Sequence, residues 1–143
     1  MWSVNFTDNS LLGYAQFPES SLAGMATTAQ NPLTDGVVAN YTTFGSSDLV
    51  FGSFAQPYDK GRTMTHEVGH FLGLRHIWGD NTACPATNTV NDKDFVADTP
   101  AASTANYGCL PGTNSCTGNP GNDMIENYMD YSDDTCMNIF TIG

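Results

Sequence analysis

Over the first 58 residues, apolar and polar positions alternate only in short bursts. Stretches 2–6, 12–17, 37–41 and 49–54 carry aromatic and β-branched residues between Asn, Asp, Gly and Pro breaks, which predicts four short strands. The period changes at Thr63. Met64, Val68, Phe71 and Leu72 recur at helical spacing and predict a helix over 63–72. Val68, Phe71, Leu72 and the nearby Trp78 are expected in the core. Residues 79–123 then lose all periodicity: they are mostly Asn, Asp, Thr, Gly and Pro with three of the four cysteines, a stretch too long for a plain loop unless something staples it. No repeat and no linker divides the chain, so we read it as part of one domain in three regions, 1–61, 62–76 and 77–143.

Charge removes some function classes. Four Lys and Arg stand against 15 Asp and Glu, a formal net charge of -11, which leaves little to grip phosphate backbones or anionic lipid. Neither nucleic acid nor a membrane is an expected partner. Twelve of the acids are Asp and three are Glu, a ratio suited to turns, caps and hard-cation ligands rather than long solvated helices. The cysteines at 84, 109, 116 and 136 form no C-x-x-C pair, so two disulfides in an oxidising compartment are expected over a thiolate zinc site. Three pairings are open. The first residues have neither the basic start nor the apolar stretch of a signal peptide, and a secreted protein is expected here as a mature segment or an excerpt.

The chemistry lies in His66-Glu67-Val68-Gly69-His70. Two imidazoles at i and i+4 share a helix face and can reach one metal ion, with Glu67 beside them. His76 follows six residues after His70, about 240° around an unbroken helix, so the helix must stop between them. Gly73 is the residue that permits a left-handed exit. All three histidines of the chain fall in H-E-x-x-H-x-x-G-x-x-H, and together they predict a zinc site.

This motif resembles the extended zinc signature of the metzincin metallopeptidases, and Asn127-Tyr128-Met129-Asp130-Tyr131-Ser132 resembles their Met-turn. Gly13-Tyr14-Ala15-Gln16-Phe17-Pro18, Asp35-Gly36-Val37-Val38, His76-Ile77-Trp78-Gly79-Asp80, Asp98-Thr99-Pro100 and Met129-Asp130-Tyr131 narrow the likeness to the pappalysin family, its ulilysin-like bacterial branch especially. The resemblance implies an α+β, zincin-like architecture: a short mixed sheet, the active-site helix and an irregular, disulfide-stapled lower part with the Met-turn. The outer helices of that architecture are not visible in this chain, and the apolar faces they would cover are expected to be exposed.

The same resemblance implies a zinc endopeptidase acting on protein or peptide substrates. His66, His70 and His76 would leave zinc one open position for water, Glu67 would act as general base, and Tyr131 would hydrogen-bond the oxyanion. Met129 would be a soft floor rather than a ligand. It favours Cys84 with Cys116 and Cys109 with Cys136. Val37 and Val38, in the stretch 37–42, are the candidate sheet edge for an extended substrate, and Asp133 and Asp134 the candidate acids for a basic side chain. Asp80, Asp92, Asp94, Asp98 and Thr99 offer oxygen ligands suited to calcium. The alternative to a working peptidase is a zinc-binding module or remnant that turns nothing over.

Overall fold

The computed structural model describes residues 1–21, 31–49, 54–86 and 93–143. They form two compact units, 1–73 and 74–143.

The first unit is built on three strands and one helix: β1 (Trp2–Val4), β2 (Gly13–Ala15), β3 (Val37–Asn40), a 3-10 turn (Tyr41–Thr43) and α1 (Arg62–Phe71). The sheet order is β1-β3-β2. Val38 of β3 is opposite Trp2 in the parallel β1 and opposite Tyr14 in the antiparallel β2. β3 is the most apolar of the strands and all four of its residues are buried, as a strand with neighbours on both sides requires. Asn40 ends it by turning its side chain onto the backbone, accepting from the Thr42 N–H at 3.2 Å and so capping the 3-10 turn. Three of the four expected strands are present in shortened form. The fourth, 49–54, lies mostly outside the described residues, and Leu49 and Phe54 belong to no strand.

α1 packs on β2 and β3. It starts at Gly61, whose φ of 75° suits glycine and whose Cβ, if it had one, would stand 2.9 Å from the Gly45 carbonyl oxygen. The face it buries differs from the expected one. Thr63, His66, Glu67, Gly69 and His70 are buried, whereas Met64 and Val68 are half-buried and Phe71 and Leu72 exposed, Leu72 by 71%. The hydrophobic period located the helix but not its inner face, because the side turned to the sheet carries the chemistry.

The second unit has almost no regular structure. Its core is Ile77, Trp78, Ala102 and Met129, with Leu74 and Ala105 packed against them. Side chains replace a strand ladder in satisfying its backbone: the Ser103 N–H donates to Ser115 Oγ, the Ser115 N–H to Asp123, the Cys116 N–H to Asn114 and the Asn106 N–H to Asp130. That is the structural use of the Asn- and Asp-rich composition. Two disulfides staple it, Cys84–Cys116 and Cys109–Cys136, with Cα atoms 5.5 and 5.9 Å apart. No helix among the described residues is long and apolar enough to cross a membrane.

Candidate metal centre

In the first unit, α1 sets His66 and His70 one turn apart with ring centroids 4.6 Å from each other, edge to face. Phe17 packs on His70 at 5.1 Å. Glu67 between them is only 6% exposed, and burial pushes its carboxyl up to about 7. Gly13 of β2 lies directly against it: a Cβ there would come within 2.8 Å of Glu67 Cγ and 2.9 Å of Oε1. The helix then stops as the spacing demanded. Leu72 donates to the Val68 and Gly69 carbonyls, and Gly73 takes a left-handed φ of 102° while its N–H reaches the His70 carbonyl at 2.9 Å.

In the second unit, His76 lies flat on Trp78, ring centroids 4.3 Å apart and planes 5° from parallel, with Tyr131 edge-on at 4.9 Å. Its Nδ1 is 2.5 Å from Asp80 Oδ1. Burial lowers the His76 pKa, with Asp80 opposing it, so the ring is neutral at pH 7 and keeps a lone pair to offer. The Met-turn is a tight one: the Asp130 N–H donates to the Asn127 carbonyl at 3.1 Å and the Met129 N–H to Asn127 Oδ1 at 2.9 Å. Met129 is buried, and its carbonyl accepts from the Ile77 N–H at 3.1 Å, tying the turn to the residue after His76.

Each of His66 and His70 in the first unit, and His76 in the second, offers one ring nitrogen as a ligand atom. Three imidazoles of this kind fit a single zinc ion, which takes nitrogen ligands in tetrahedral sites and tolerates one vacancy. The profile of the M43 peptidases, described as pregnancy-associated plasma protein-A, matches residues 12–143. The chain belongs to the pappalysin family. Among curated pappalysin relatives, an extracellular metalloprotease of Arthroderma benhamiae is 43% identical over the whole chain, and one of Verticillium alfalfae is 42% identical over 98% of it. The chain spans 43% of the length of each. Among solved structures, Tannerella forsythia mature mirolysin in complex with a cleaved peptide shares the fold at a TM-score of 0.72 and 48% identity, over 97% of this chain and 46% of that one. A promirolysin mutant from the same organism superposes at 0.75 with 46% identity, over 99% and 41%. The α+β metzincin architecture of the pappalysins is thus the fold of this chain.

Several expected pappalysin site residues have other places. Val37 and Val38 are not at an edge: β3 is the central strand, and the backbone on both its sides is paired to β1 and β2. Asp134 is 2% exposed, while Asp133 is half-buried. Among the described residues, the acids read as calcium ligands form no converging group. Asp80 sits on His76, Asp94 accepts from the Val96 N–H, Asp98 from the N–H groups of Ile142 and Gly143, and Thr99 Oγ1 pairs with Thr141 Oγ1. Asp92 lies outside the described residues. The sequence reading gave no site role to three residues: Gly13 against Glu67, Phe17 on His70, and Asn106, which donates both its N–H and its side-chain amide to the Asp130 of the Met-turn.

Proposed function

We propose that this chain carries the metal site and the catalytic carboxylate of a secreted zinc endopeptidase, in which His66, His70 and His76 hold the ion and Glu67 is the general base. The observation that supports it is one: a buried carboxyl on the helix turn that carries two buried histidines, in a chain of this family. Zinc held by these histidines would supply Lewis acidity, activating water near neutral pH and polarising a peptide carbonyl.

Glu67 handles the proton. Its carboxyl takes one from water and returns it to the departing amine, a transfer that works best when the group titrates near the working pH. Burial alone raises it to about 7, and a cation at the histidines draws it back down. Tyr131, packed edge-on against His76, donates its hydroxyl to the oxyanion that forms on the carbonyl. Met129 stays a buried apolar support. The substrate strand adds to β2 rather than β3. Among the described residues β2 has one neighbour in the sheet, and its Gly13 touches Glu67, so an extended peptide laid along its other side would pass the carboxyl. The absence of a Cβ at Gly13 keeps that approach open. Asp133, half-buried, remains the proposed acid for a basic substrate side chain, and calcium is left out of the reading.

The test is paired. The purified chain is expected to hold one zinc, to lose it in His70→Ala, and to keep it in Glu67→Gln while peptide cleavage falls by about 10²–10⁴-fold. Cleavage undiminished in Glu67→Gln sinks the mechanism. Zinc uptake with no cleavage by the unsubstituted chain selects the silent metal-binding module instead.

A further inference from the structure

His76 is held differently from the other two histidines. A helix fixes the backbone of His66 and His70, but His76 follows a glycine exit and sits on irregular chain. Stacking on Trp78 fixes the plane of its ring, and Tyr131 closes one edge. A stack cannot choose which edge of an imidazole faces outward, because turning the ring over leaves the plane unchanged. That choice needs a directional bond. Asp80 Oδ1 makes it, 2.5 Å from Nδ1.

A carboxyl oxygen accepts here when Nδ1 carries the hydrogen, and Nε2 then keeps the lone pair. We infer that Asp80 is the positioning residue of the metal centre, holding His76 in the tautomer and orientation in which Nε2 binds zinc. It is not a ligand of a separate cation. The local chain is shaped for this contact. Asp80 has a left-handed φ of 56°, which aspartate tolerates better than most residues, and it follows Gly79 at 59°. A Cβ on Gly79 would fall 2.4 Å from the Lys93 carbonyl oxygen, so the turn returning Asp80 to His76 depends on that glycine. A carboxylate behind a ligating imidazole also makes it a stronger donor.

The inference rests on the zinc reading above, and its test separates the two. Asp80→Gly removes the carboxylate without backbone strain, since glycine is at ease at positive φ. Asp80→Asn keeps an acceptor oxygen and the same φ tolerance but loses the charge. Zinc affinity of the metal-free chain is measured by competition with a chromogenic chelator, together with the visible spectrum of the Co²⁺ form. The glycine variant is expected to bind zinc about 10–100-fold more weakly and to show a changed Co²⁺ spectrum. The asparagine variant should keep the parent spectrum and lose less than a tenth as much affinity as glycine costs. A glycine variant within threefold of the parent overturns the assignment, as does an asparagine variant as weak as glycine. Absence of zinc binding by the parent itself overturns the reading beneath it. Circular dichroism of the metal-free forms identifies a variant that has merely unfolded, and Asp80→Ser then takes the place of glycine with the same expectation.

Discussion

Asp94 is 5% exposed, and it does not belong to the metal centre. Its carboxyl accepts from the Val96 N–H at 3.1 Å, yet burial and the nearby Asp98 outweigh that bond and push it up to about 6 from an ordinary 3.8. Between these two values the folded chain keeps a proton that the unfolded chain has released. Stability therefore falls as pH rises through this window, and above pH 6 the full cost is present, of order 1–3 kcal/mol. Asp94→Asn keeps the acceptor and removes the ionisation. Thermal melts from pH 4 to 7 should show the variant above the parent at pH 7 and the two converging near pH 4; parallel curves would contradict this. At this scale the sequence was clearest where chemistry demanded it. Three histidines in one spacing announced themselves, whereas Asp80 and Asp94 read as calcium ligands, because the side chain each acid meets is not written in its own spacing.

Among the elements, the Met-turn is held through a buried carboxyl. Asp130 is fully buried and receives the Asn106 N–H, the Asn106 side-chain amide and the Tyr131 N–H at 2.8–2.9 Å. Asn106 Nδ2 also lies 3.3 Å from Asp123, a second buried carboxylate, so one neutral amide serves two acids. Asn106→Ala would leave both short of a donor. A loss of about 1–3 kcal/mol in urea unfolding is expected, together with a weaker Trp78 and Tyr131 near-ultraviolet signal as the aromatic packing loosens. A change under 0.5 kcal/mol would show that the backbone donors suffice. This clamp joins positions 24 residues apart and left no trace in the sequence. The same limit applies to the sheet. Short β-branched runs place β1, β2 and β3 nearly where they lie, but strand order depends on non-local pairing, and so the sequence reads as an edge a strand that is the centre.

The molecule as a whole follows its composition. Few apolar residues among those described reach the core, and a chain with -11 of net charge and few cations settles its polar groups by Asn, Ser and Asp side chains on its own backbone. Among the described residues large apolar side chains stay outside, Trp2 and Leu33 among them. The long aperiodic stretch could be recognised as stapled from its length and cysteine content, while the way its backbone is satisfied could not, since it runs through single side chains at irregular spacing.

The two disulfides interleave. The loop closed by Cys84–Cys116 overlaps the one closed by Cys109–Cys136, so the four cysteines alternate along the chain instead of nesting. Any single cut between residues 84 and 136 therefore leaves both pieces joined by at least one covalent bridge. A protein secreted among peptidases would keep its mass after such a nick. The break would be invisible on a non-reducing gel and would separate into two bands on reduction; release of a fragment without reductant would mean that the bridges are not paired this way.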